Sequence, residues 1–94
     1  MNGIREEVVD SAFEAPADGL EQVVAAIVAD VLSFDRVGRS DSFYDLGGTS
    51  LQAIRICARI EQRTGRTAYP EWLFTHDVLS EFVAHLESEG EDGR

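Results

Sequence analysis

Lysine is absent from this chain, and cysteine, methionine and tryptophan each occur once. All its positive charge rests on eight arginines, set against eighteen acids, for a formal net charge of −10. Such a surface repels nucleic acid and anionic membranes, so neither is an expected partner. Cys57 has no second thiol to pair with, which fits a reducing cytoplasm. No apolar run approaches the ~18 residues that mark a candidate membrane span. The start, MNGIREEVVDSAF, lacks the basic-then-apolar order of a signal peptide.

The same scarcity excludes most catalysis. A phosphate-binding Walker loop needs a lysine after its last glycine. A hydrolase elbow, G-x-S-x-G, would need glycine where Gln52 stands. Histidine occurs only at His76 and His85, too far along the chain to serve as a local base, and with Cys57 they do not match zinc spacing. His85 falls beside an apolar run and reads as structural. No catalytic residue and no metal site are expected.

What is present is helical. Leu20, Val23, Val24, Ile27, Val28 and Val31 repeat as one buried stripe of a helix ending near Leu32, with Asp18 or Gly19 as cap and Glu21 at the positive end of the dipole. Residues 33–49 show no periodicity, and a connection this long is ordinarily pinned or functional; Val37, Phe43 and Leu46 are the expected pins. A second helix is predicted over Ser50–Thr64, closed by Gly65. YPEWLF gives one short helix with Pro70 at its start. Asp77 caps a last helix with the stripe Val78, Leu79, Phe82, Val83 and Leu86. These elements predict an all-α fold, a small four-helix bundle of three main helices and one short one, with a long first loop. Residues 1–18, acidic and broken by APADG, read as a flexible tail, although a short helix over Ile4 to Phe13 also fits. Residues 19–87 form the domain and 88–94 a second flexible tail.

The stretch DSFYDLGGTSLQAIRI, residues 41–56, is the most informative. On a helical wheel Ala53, Ile56, Cys57 and Ile60 form a core stripe, while Leu51, Ile54 and Ala58 fall on nearly the opposite side. A helix on a small bundle needs only one apolar stripe. The second, flanked by Arg55 and Arg59, is an expected docking surface, since exposed apolar patches often mark partner sites. Residues 50–66 also carry a local net charge of +3 in an otherwise acidic chain. Cys57 faces the core as an inert thiol. Ser50 has two readings: an N-cap, or a hydroxyl at a helix start where amides and dipole favour a phosphate group, with Gly47 and Gly48 leaving the approach open.

D-S-F-Y-D-L-G-G-T-S-L, residues 41–51, resembles the signature D-x-F-x-x-L-G-G-x-S-L of peptidyl (thiolation) carrier proteins, a branch of the acyl-carrier-like family. Asp41, Phe43, Leu46, Gly47, Gly48, Ser50 and Leu51 match it, and the likeness runs from about Leu20 to Glu87. The resemblance implies that Ser50 carries 4′-phosphopantetheine, attached from coenzyme A by a phosphopantetheinyl transferase, with Gly47, Gly48 and Thr49 around it. It also implies that Leu51, Ile54, Arg55 and Ala58 meet partner enzymes: an adenylation enzyme, then condensation or tailoring enzymes. The chain is then a carrier and not an enzyme. It is expected to be free-standing, cytoplasmic and monomeric, holding an aminoacyl thioester for nonribosomal peptide synthesis. An acyl or polyketide carrier is the alternative, and an unmodified helical interaction module a more distant one. The arginines after Ser50 and the Gly48-Thr49 pair favour the peptidyl branch. Thr49 departs from the His or Asp common before this serine. RTAYPEWLF departs from the usual run before the short helix, where Trp72 is expected to pack on the core, with a partner contact as the alternative.

Overall fold

The computed structural model describes residues 3–90, with side chains to residue 88. Among the described residues, four α-helices follow a 3-10 turn at Arg5–Glu7: α1 (Leu20–Leu32), α2 (Ser50–Thr64), α3 (Pro70–Thr75) and α4 (Leu79–His85). The all-α expectation holds; the described residues contain no strand, only two isolated bridges, Gly3 with Phe34 and Ser42 with Val78.

The anticipated stripe of α1 supplies Val24, Ile27 and Val28 to the core, and Leu20, Val23 and Val31 pack partly buried against it. The helix stops at Ser33, which turns left-handed (φ 63°) while its amide caps the carbonyls of Ala29 and Asp30. Helix α1 packs on α2 and α4, and α3 fits between α2 and α4. Phe82, Leu73 and Leu86 close the centre from the C-terminal side. The chain leaves α4 through a π-helical turn, Leu86–Gly90, rather than by fraying directly. The remainder of the expected C-terminal tail, 91–94, lies outside the described residues.

The long loop is fastened at both ends. Val37, Phe43 and Leu46 are buried, as the sequence required. Its backbone is hydrogen-bonded to the start of α4: Phe43 N–H donates to Asp77 O at 2.8 Å, Leu79 N–H to Asp41 O at 3.0 Å, and Ser80 N–H to Arg39 O at 2.9 Å. Asp77 therefore does not cap α4. Its carboxylate accepts the Ser42 hydroxyl at 2.5 Å instead, and Val78 occupies the cap position without a side-chain bond. A loop residue 35 positions away outcompetes the local cap.

The N-terminal segment departs from its reading as a flexible tail. Gly3 N–H donates to Ser33 O at 2.5 Å, and Asp35 N–H to Gly3 O at 2.9 Å. Arg5 is fully buried. Phe13 lies under the Arg36 guanidinium at 3.8 Å, and Arg39 N–H donates to Glu14 O at 2.8 Å. Composition alone marks this stretch as a tail, because partners such as Asp35 and Asp41 lie 30 and 36 positions from Arg5, beyond any local pattern.

Candidate functional site

The turn before α2 is built from the inside out. Phe43 is buried, and its ring lies directly beneath Gly48: a Cβ there would sit 2.3 Å from the ring. Gly48 is thus glycine because the protein's own core leaves no room. Gly47 answers a different need. It adopts φ +81°, a region other residues enter at a cost, and the space around its missing Cβ is empty. The turn closes through Gly47 N–H to Tyr44 O and Gly48 N–H to Phe43 O, both at 2.9 Å. Asp41, at the head of the signature, is buried and does not face solvent. Its carboxylate accepts Gly38 N–H at 2.9 Å and the Arg5 guanidinium at 2.5 and 2.6 Å.

The structure moves the helix cap by one residue. Thr49, not Ser50, is the N-cap of α2: its hydroxyl accepts Gln52 N–H at 3.3 Å, while the Gln52 side chain accepts Thr49 N–H at 3.0 Å. This reciprocal box satisfies two amides at once. Ser50 is the first helical residue, exposed, and its hydroxyl takes part in no hydrogen bond among the described residues. The capping box leaves that oxygen unused, at a helix end whose first amides have no intrahelical acceptor. The Thr49-to-Gln52 spacing could have shown this from sequence.

Helix α2 carries its two stripes as expected. Ala53, Ile56 and Ile60 are completely buried and Cys57 nearly so. Leu51 and Ile54 are 59% and 54% exposed, and Arg55 and Ala58 are exposed beside them. Arg59 is held in an ion pair with Asp30 of α1. Burial, followed by the fields of Glu61 and Glu71, pushes the Cys57 thiol up to about 12, so it is no nucleophile near neutrality.

A second exposed apolar element has no counterpart in the sequence pattern. Tyr44 stacks on Phe74 with ring centroids 6.2 Å apart, and its hydroxyl donates to Phe74 O at 3.2 Å. Neither residue lies in a periodic stripe, so only the fold pairs them. Trp72 packs partly buried against the core and meets His85 edge-on at 4.7 Å. His85 in turn stacks on His76 at 4.5 Å. The fold thus joins two histidines that are distant in the chain, but among the described residues no group of three His, Cys, Asp or Glu side chains could hold a metal ion.

An exposed serine hydroxyl at the first position of α2, without a hydrogen bond among the described residues, fits covalent attachment of a phosphate-linked group such as 4′-phosphopantetheine. Comparison with known proteins identifies the family. Residues 22–86 match the family described as "Phosphopantetheine attachment site". Malpinin synthetase of Mortierella alpina is 36% identical over 78 residues, covering 83% of this chain and 1% of that protein. Among solved structures, a nonribosomal PCP domain is 31% identical with a TM-score of 0.70, covering 76% of this chain and 91% of that one. BlmI, a type-II acyl carrier protein of Streptomyces verticillus involved in bleomycin biosynthesis, is 32% identical with a TM-score of 0.69, covering 73% of this chain and 83% of that one. The chain spans only 1–3% of the curated synthetases it matches. It belongs to the phosphopantetheine-binding carrier family, as a peptidyl carrier of the nonribosomal peptide synthetase type: a carrier of a covalent cofactor and not a catalyst.

Proposed function

We propose that Ser50 is the attachment point of 4′-phosphopantetheine and that residues 19–87 serve as a free-standing peptidyl carrier for an aminoacyl group. The observation that carries this reading is the unused Ser50 hydroxyl at the first position of α2, next to a cap that Thr49 already provides. When bound, the cofactor supplies a terminal thiol that holds the cargo as a thioester. The chain's own residues do the rest. Gly47 supplies the left-handed backbone of the turn, Gly48 seats the turn on Phe43, and Thr49 with Gln52 fixes the start of the helix.

Leu51, Ile54, Arg55 and Ala58 then face the enzymes that act on the carrier: a phosphopantetheinyl transferase, an adenylation enzyme, and condensation or tailoring enzymes. The exposed Tyr44–Phe74 pair adds apolar surface to the same reading. Likeness to the type-II carrier BlmI supports the free-standing form, and likeness to peptidyl carriers supports an aminoacyl cargo. A monomer in the cytoplasm completes the proposal.

The test is intact mass after incubation with coenzyme A, Mg²⁺ and a permissive transferase, beside Ser50→Ala. The expected result is one added phosphopantetheine, absent from the variant. No gain, with the transferase shown active on another carrier, refutes Ser50 attachment. Offering the modified protein to adenylation enzymes and to acyltransferases then separates aminoacyl from acyl cargo, with aminoacyl loading expected.

A further inference from the structure

Arg5, in the N-terminal segment, is the largest completely buried side chain among the described residues. Its guanidinium grips both oxygens of Asp41, Nε to Oδ2 at 2.5 Å and Nη2 to Oδ1 at 2.6 Å. The same Nη2 also reaches Ser11 O at 3.1 Å, and Nη1 reaches Glu6 at 3.1 Å. The backbone amide of Arg5 donates to Asp35 Oδ1 at 2.9 Å. Phe13 covers the guanidinium at 5.4 Å from its ring centre, and Arg36 stacks on Phe13 while bonding to Glu6 at 2.7 Å. Residues 3–14 thus wrap the loop as a strap, although the family match begins only at residue 22.

Asp41 stands a short way before Ser50, and the intervening chain is continuously bonded. Asp41 O and Asp77 O tie residues 41–43 to the start of α4, Leu46 N–H donates to Ser42 O at 3.1 Å, and Gly48 is pressed on Phe43. Without Arg5, the Asp41 carboxylate would be a buried charge held, among the described residues, by the Gly38 amide alone, and it would draw toward water. That movement pulls on the turn that ends at Ser50.

Resting on the assignment of Ser50 as the modified residue, we propose that Arg5 is a positioning residue: through Asp41 the N-terminal strap holds the Gly47–Ser50 turn in the form the phosphopantetheinyl transferase recognises. The strap acts on the population of the competent turn and not on the chemistry. Transferase affinity falls with that population, because an apparent dissociation constant scales inversely with the competent fraction.

The experiment compares transferase kinetics on full-length wild type, Arg5→Met, Arg5→Lys and Phe13→Ala, with the exposed Glu7→Gln as control, at a temperature where circular dichroism shows every helix intact. If the competent fraction falls to a tenth in Arg5→Met, KM for the carrier rises about tenfold with kcat unchanged. Arg5→Lys keeps the charge without the fork and recovers part of the loss. Phe13→Ala, which leaves the ion pair in place, gives a smaller rise and serves if Arg5→Met does not fold. The amide resonances of Gly48 and Thr49 shift in step with KM, while Glu7→Gln matches wild type. A wild-type KM in Arg5→Met and Phe13→Ala, or a loss that merely follows the unfolded fraction, overturns the proposal. Failure to modify even the wild type would instead refute the assignment of Ser50.

Discussion

The two apolar faces of α2 have nearly the same composition and opposite fates. Ala53, Ile56, Cys57 and Ile60 are sealed against α1 and the rest of the core, while Leu51, Ile54 and Ala58, on the same fifteen residues, stay in water. Hydrophobicity cannot account for the difference, since Ile54 and Ile56 are the same residue type on one short helix. Geometry does: a step of about 100° per residue puts them on opposed sides, and the bundle covers only one. The buried face holds the fold together, and the exposed face is held ready by it.

Ile60→Ala should unsettle the buried face most. Ile60 is completely buried, and truncating such a side chain costs about 2–5 kcal/mol, the transfer term plus the cavity left behind. The urea midpoint of unfolding should fall accordingly. An unchanged midpoint would mean that α2 is not docked by this face.

Gly48→Ala comes next. The added methyl meets the Phe43 ring at 2.3 Å, so the ring or the turn must shift, and overpacking of this kind costs about 1–3 kcal/mol. It also separates the two glycines. Gly47→Ala meets no atom and is opposed only by its positive φ, so the two variants should differ in structure even where they agree in stability. Displaced Phe43 ring resonances are expected for Gly48→Ala alone.

A third prediction concerns the neighbours at the helix start. Thr49→Ala removes the capping box and should cost about 1 kcal/mol. Ser50→Ala removes a hydroxyl that makes no hydrogen bond among the described residues and should leave thermal stability within about 0.5 kcal/mol of wild type. Paired melting curves decide it. The reverse ranking would return the cap to Ser50 and remove the main structural support for its modification.

What the sequence discloses is what is local. The boundaries of α1 and α2, the Gly65 cap and both stripes of α2 follow from spacing within each segment, and the core pins Phe43 and Leu46 from their place in an otherwise polar loop. The Thr49 cap is also legible, through Gln52, although the neighbouring serine competes for the role. The rest is not legible because its partners are distant in the chain. Asp77 looks like a cap until Ser42 arrives from 35 positions away, and the segment around Arg5 looks like a flexible tail until Asp41 binds its guanidinium. The same holds for Tyr44 on Phe74. Of the candidate site, the signature matches from Asp41 to Leu51 are readable, while the division of labour between Gly47 and Gly48 needs the position of the Phe43 ring.

Ile54→Asp should disturb the fold least of all. Ile54 is 54% exposed, so Ile54→Asp removes little buried surface and creates no cavity. Such surface changes ordinarily stay within about 0.5 kcal/mol in stability. The new carboxylate stands beside Arg55 and one turn before Ala58, in a helix whose net charge is positive within an acidic chain. It therefore alters both the apolar and the charged character of the exposed face while the buried face is untouched. Helicity and melting temperature should match wild type, and loading by an adenylation enzyme that accepts the wild type should weaken, with the loss in KM. Loss of helicity would mean that Ile54 belongs to the fold. Unchanged loading with an intact fold would mean that partners dock elsewhere, with the exposed Tyr44–Phe74 pair the next surface to alter.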